Sequence, residues 1–180
     1  MILQFFISTK SIYINKKIMS KMFTNSSVIK LDDNDFKIIK NKRGHSKATV
    51  ISKLFTGKDG YVMFYGDWCP HCRAKEEFWS YLAEQFNKNP IYQNENFRIG
   101  VVDTEGQNVS KIIAALEVGP IPRFMHVLSN PQNSNEQDLI DYDGDMSLEN
   151  LIQAVCDNSA TDNLCSFDQK SLNPPPIAYN

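Results

Sequence analysis

The residues best able to do chemistry are two cysteines with two residues between them, in Trp68-Cys69-Pro70-His71-Cys72. This spacing serves reversible disulfide exchange, and it also serves half of a zinc site. The surrounding pattern favours exchange. An apolar run, Tyr61 to Tyr65, leads through Gly66-Asp67 into the motif, and a charged segment follows with Phe78, Leu82 and Phe86 four residues apart. That order predicts strand, tight corner and helix, with Cys69 at or just before the first helical turn and Cys72 one turn on, close enough to share a disulfide. Pro70 suits the first helical position, where a missing N–H costs nothing. Unpaired N–H groups and the positive helix end favour a thiolate at Cys69. Lowering a thiol from about 8.5 to about 6 raises its thiolate fraction at pH 7 from about 3% to about 90%. His71 can add positive charge or a hydrogen bond. Cys69 is therefore the candidate nucleophile, and the deeper Cys72 the resolving thiol.

Other elements must hold that corner. Val28 to Leu31 predicts a short strand ended by the cap residues Asp32 to Asp35. Phe36 to Lys58 fits a helix or short strands, closed by the turn Gly57-Lys58-Asp59-Gly60. Asn87 to Asn96 predicts a loop, and Phe97 to Asp103 a buried strand. Val109, Ile112, Ile113 and Leu116 mark an amphipathic helix. Up to that helix, alternating strands and helices imply parallel pairing. Strands follow at Arg123 to Leu128 and Leu139 to Tyr142, then a helix capped by Ser147 with Leu148, Leu151, Ile152 and Val155 on its apolar face. His126 is expected in the core or at an edge with its ring satisfied, and His45 on a basic surface patch.

The run FYGDWCPHC resembles the thioredoxin superfamily, most closely the thioredoxin-like domains of protein disulfide isomerases with their Phe-Tyr-Ala-X-Trp-Cys-Gly-His-Cys pattern. The stretch Val118-Gly119-Pro120-Ile121-Pro122-Arg123-Phe124 is similar to the family's second signature. The resemblance implies an α/β thioredoxin fold, a central mixed β-sheet flanked by helices. It implies a redox-active disulfide between Cys69 and Cys72, tuned by His71 and Pro70. It also implies a substrate groove at Trp68, Ile121 and a cis Pro122, where Ile121 offers backbone groups to an extended client. The family's buried acid, six residues before the first cysteine, is Met63 here, and its lysine partner is Val101. Losing both leaves no unpaired buried charge but takes away a proton acceptor. Arg123 stands where relatives often have threonine, which would favour acidic or polar clients.

Composition narrows the possibilities. A net charge of -2 gives no reason to invoke nucleic acid, and no apolar run approaches the roughly 18 to 20 residues that span a bilayer. The expected organisation is a flexible extension over 1–27, a thioredoxin-like domain over 28–157 and a poorly ordered tail over 158–180. The extension has lysines without acids and an apolar cluster too short, and in the wrong order, for a secretory signal. The compartment is left open, with the cytosol or an assembled particle preferred to secretion. Cys156 and Cys165 either form a local disulfide or stand as one buried and one exposed thiol, the second being favoured. A zinc site using all four cysteines is disfavoured by their spacing.

The expected function is thus thiol–disulfide exchange on protein substrates, as a monomer with an unidentified redox partner and with no cofactor or metal. The alternative is a non-catalytic module of the same fold that holds a protein partner.

Overall fold

The computed structural model describes residues 21–40, 46–88, 97–130, 132–147, 149–151 and 153. Seven strands form one mixed sheet: β1 (Ile29–Lys30), β2 (Phe36–Lys40), β3 (Ser46–Val50), β4 (Asp59–Tyr65), β5 (Phe97–Asp103), β6 (Arg123–Leu128) and β7 (Gln137–Asp141). Their spatial order is β1-β5-β4-β6-β7-β3-β2. β5 runs parallel to both β1 and β4. The β4–β6, β6–β7, β7–β3 and β3–β2 pairs are antiparallel.

Every residue of β4 is buried, because β4 has a strand on each side and a packed layer on each face. Side chains alternate between the faces of a strand. Tyr61, Met63 and Tyr65 therefore enter one apolar cluster with Phe97, Ile99 and Val101 of β5 and with helix α1 (Pro70–Ala83). Val62 and Phe64 enter the opposite cluster with Val102, Met125, Val127 and Ile112 of helix α2 (Ser110–Ala115). Gly60 meets a tighter constraint, since a Cβ there would lie 2.0 Å from the Arg98 carbonyl oxygen on the adjacent strand. The chain continues from α1 into a π-helical turn, Glu84–Lys88, which carries Asn87 out of the predicted loop. Its amide holds Ile99 from both sides: Nδ2 donates to the Ile99 carbonyl at 2.9 Å, and Oδ1 accepts the Ile99 N–H at 3.1 Å.

Three features settle or depart from the expected organisation. The ambiguous stretch after β1 is a hairpin, β2 paired to β3 from Phe36↔Val50 to Lys40↔Ser46, so no crossover helix separates β1 from β4. The hairpin widens the sheet beyond β7 instead. Asp33, in the capped turn before it, reaches across to α2 and accepts Ile112 N–H at 2.8 Å and Lys111 N–H at 3.2 Å, supplying the cap that Val109 lacks. The second departure is the domain boundary, expected at residue 28. Met22 and Phe23 are fully buried in the α1-side cluster, with the Phe23 ring set edge-on to Tyr65 at 5.0 Å. At the other end, Ser147 caps the last helix as expected, its hydroxyl accepting Asn150 N–H at 3.2 Å. Leu151 is buried, and its carbonyl accepts the Tyr61 hydroxyl at 2.7 Å. Residues 1–20, His45, Cys156, Cys165, the side chains of Leu148, Ile152 and Val155, and the tail from 158 lie outside the described residues.

The third departure is His126. Its ring is buried and stacks on Tyr61 at 4.7 Å, and its Nε2 has no hydrogen-bond partner among the described residues. Burial lowers its pKa to about 4, against a weaker opposing pull from Asp59. The unfolded chain takes up this proton near pH 6.5, whereas the folded protein refuses it until about pH 4. Stability conferred by neutral His126 is therefore present above pH 6.5 and is lost as the pH falls toward 4, by up to about 3 kcal/mol. Urea unfolding should show this decline, and His126→Phe, which keeps the stacked ring and removes the orphaned nitrogen, should flatten it and leave the variant more stable than the parent at pH 5.

Candidate active site

The corner after β4 is built by hydrogen bonds local to the motif. Cys69 N–H donates to the Gly66 carbonyl at 3.0 Å, closing the turn, and Cys69 is the N-cap of α1 with Pro70 in the first helical turn. The cap acceptor is sulfur: Cys69 Sγ accepts the Cys72 N–H at 3.2 Å. An orphan donor of the helix start is thereby satisfied by the sulfur. Both cysteines are free thiols and both are buried. Pro70 and His71 are exposed, as is Trp68 at 53%. Gly66 gives the indole room, since a Cβ there would lie 2.9 Å from Trp68 Nε1 and 3.1 Å from Ile121 Cδ1.

The second segment comes from the loop before β6. The Ile121–Pro122 peptide is cis. The Ile121 carbonyl lies 3.5 Å from Cys69 Sγ, which donates to it. Residues 52 apart in sequence thus meet at the sulfur. The structure accordingly brings Trp68, Cys69, Cys72, Ile121 and the adjoining Pro122 to one corner, with Pro70 and His71 on its open side.

The two thiols differ in setting. Burial, followed by the hydrogen bond with Cys69, pushes the Cys72 thiol up to about 12. Met63 and Val101 are register partners on β4 and β5 and lie in the same apolar cluster as Cys72. This flank of the pair therefore offers hydrocarbon where the family pattern has an acid. Nearby Tyr65 is also raised, first by burial and then by Asp103, Asp67 and Glu76.

Arg123 does not present its charge to a client. Its Nε and Nη2 hold both carboxylate oxygens of Asp141, at 2.6 and 2.8 Å, and Nη1 donates to the Leu116 carbonyl at 2.6 Å. A bidentate pair of this kind offsets the cation and ties the loop after α2 to β7. The preference for acidic clients expected from Arg123 has no free charge behind it.

Three residues around the motif escaped the sequence reading. Arg73 Nε donates to the Asp67 carbonyl at 2.8 Å, while the carboxylates of Asp67 and Glu76 accept N–H groups from Met22 and Phe23. The only sequence signal for them is that acids stand on both sides of the cysteine pair.

Fold and corner together define a thioredoxin-superfamily domain close to those of protein disulfide isomerases. A solved J-Trx1 fragment of ERdj5 shares the fold, with a TM-score of 0.50 at 17% identity, over 89% of this chain and 62% of that one. A thioredoxin domain-containing protein of Theileria parva is 28% identical over 89 residues, which is 46% of this chain and 40% of that protein. Protein disulfide-isomerase 1 of Caenorhabditis elegans is 29% identical over 98 residues, 54% of this chain and 17% of that one. The chain thus spans less than half the length of the curated relatives it matches. More particularly, it belongs to the OST3 / OST6 family, described as a transporter family, whose model matches residues 16–166. That match takes in the segment around Met22 and Phe23. Among the described residues no helix is long and apolar enough to cross a membrane.

The contrast between the thiols is open to test. With Cys72 near 12, only about one part in ten thousand is thiolate at pH 8. In a protein carrying Cys156→Ser and Cys165→Ser, iodoacetamide at that pH should label the reduced form once, at Cys69, with Cys72 modified more than about a hundred-fold more slowly. Peptide mass mapping over time would read both rates.

Proposed function

We propose that the chain is a redox module that exchanges disulfides with extended segments of protein clients through Cys69 and Cys72. The observation that carries this reading is the setting of Cys69 Sγ, which receives the Cys72 N–H at 3.2 Å and sits 3.5 Å from the carbonyl beside cis Pro122. In the exchange, the Cys69 thiolate attacks one sulfur of a client disulfide, a Cys69–client bond forms, and the other client sulfur leaves as a thiolate. Cys72 then loses its proton and attacks the Cys69 sulfur. The Cys69–Cys72 bond forms and the client leaves with two thiols; run backwards, the same steps oxidise a client dithiol. Two electrons pass in either direction, and a glutathione couple or a partner dithiol resets the pair.

Trp68 and Ile121 border the sulfur and give the client its apolar wall, while Ile121 and Pro122 offer backbone to a strand-like segment. His71 and Pro70, on the open side, tune the pair and favour the dithiol, so that the module oxidises its clients. Because Met63 and Val101 replace the family's acid and its lysine partner, the Cys72 proton has to leave toward solvent, and resolution is the slow step. The same pair of apolar residues supports the second reading, a non-catalytic module that holds a client at the groove.

Equilibration with glutathione buffers, in a protein carrying Cys156→Ser and Cys165→Ser, separates the two. The redox reading expects a reversible Cys69–Cys72 disulfide with a potential toward the oxidising end of the family's roughly 150 mV range. With Cys72→Ser, mixed disulfides through Cys69 should accumulate; with Cys69→Ser they should not. A pair that never closes in any buffer would leave only the binding module. Introducing Met63→Asp should speed resolution of the trapped species by about ten-fold, at some cost in stability from the buried charge.

A further inference from the structure

A short segment ahead of β1 is laid along α1. The Met22 N–H donates to Asp67 Oδ1 at 2.8 Å, and the next N–H, of Phe23, donates to Glu76 Oε1 at 2.7 Å. Further on, the Ser27 hydroxyl donates to Glu84, and the Ser27 carbonyl accepts Asn87 Nδ2 at 2.8 Å. Residues 22 to 27 therefore follow α1 from the turn before it to the π-helical turn after it. Asp67 stands two residues before Cys69 and Glu76 four residues after Cys72, so two adjacent backbone N–H groups reach across the whole motif.

The backbone of this strap is strained where it does so. Phe23 has φ +56°, a left-handed conformation that a bulky aromatic residue seldom adopts. Its neighbours hold it there: the N–H is fixed by Glu76 and the ring is buried against Tyr65. Strain of this kind persists where surrounding structure over-determines it, and it concentrates at sites that need a fixed geometry. Met22 and Phe23 lie in the same contiguous apolar cluster as Cys69 and Cys72, and Arg73 braces the Asp67 carbonyl from the helix side.

We infer that residues 22–23, with Asp67 and Glu76, are positioning residues: they clamp the turn and the first half of α1 to each other, hold the two sulfurs in closing distance and keep solvent from Cys72. The consequence for exchange rests on the redox reading above, whereas the shielding of Cys72 does not. Two sulfurs held in register close a disulfide more readily than two that must be brought together. Releasing the clamp should therefore move the pair toward the dithiol and expose Cys72.

The test compares two double variants in the Cys156→Ser, Cys165→Ser background. Asp67→Asn with Glu76→Gln removes both charges but keeps both acceptor oxygens. Asp67→Ala with Glu76→Ala removes the acceptors as well. The amide pair should stay within about two-fold of the parent in Cys72 alkylation and in the equilibrium constant with glutathione. The alanine pair should raise Cys72 alkylation by at least about ten-fold and shift the equilibrium toward the dithiol by at least about five-fold. If both pairs change alike, charge rather than position is at work; if the alanine pair merely melts earlier with both readouts unmoved, the contacts are only structural. Either result overturns the inference. Should circular dichroism show that the alanine pair does not fold, Glu76→Ala against Glu76→Gln decides by the same two outcomes. Failure of the parent pair to close in any glutathione buffer would sink the redox reading, and the alkylation rates would still test the clamp.

Discussion

The burial of β4 on both faces and both edges is the constraint on which the remaining structure depends. A strand enclosed in this way cannot slip, because moving it by one residue would turn Tyr61, Met63 and Tyr65 into the layer occupied by Val62 and Phe64. Its carboxyl end is therefore fixed, and with it the place where the chain leaves the sheet. Gly66 is the first residue out, and three residues later a sulfur stands at the head of α1. The helix in turn is held to the sheet by Trp79, whose indole donates to the Gly100 carbonyl at 3.1 Å. The cysteine corner thus inherits its precision from a buried strand and a buried indole, neither of which has any chemistry of its own.

Around that corner the chemistry is asymmetric. Cys69 receives a helix N–H and touches the Ile121 carbonyl, while Cys72 faces hydrocarbon and is held protonated. The two thiols of the corner therefore stand in unlike surroundings, one capping the helix and the other enclosed by the core. The apolar pair at Met63 and Val101 carries this asymmetry further than the family pattern does. The chain's membership of the OST3 / OST6 family thus comes with a dithiol corner set against hydrocarbon.

Much of this was legible in the sequence because it is local. Strand, corner, cap proline and helix occupy 26 consecutive residues, Tyr61 to Phe86, and each local signal agrees with the others. The Ile121-Pro122 loop was legible only through resemblance, since two prolines in a loop carry no mark of the sulfur they face. The hairpin was not legible: Phe36 to Val50 lacks a clean period, and its pairing is decided by β7, nearly ninety residues on. Met22 and Phe23 escaped for the same reason, their burial being settled by Asp67, Glu76 and Tyr65 rather than by neighbours in sequence. Arg123 misled because a lone cation next to a groove gives no hint that Asp141, eighteen residues later, already holds it.

The reach of the Cys69–Ile121 contact has a consequence for the protein's own synthesis. Cys69 leaves the ribosome 52 residues before the carbonyl it will touch, with Cys72 close behind it. At roughly 5 to 20 residues per second, that interval lasts about 3 to 10 s. Throughout it β6, whose Phe124 packs against the cluster that holds both cysteines, does not yet exist, and the thiols are as open to foreign disulfides as those of any nascent chain. The corner is therefore complete only after a stage in which its own cysteines can be taken by others.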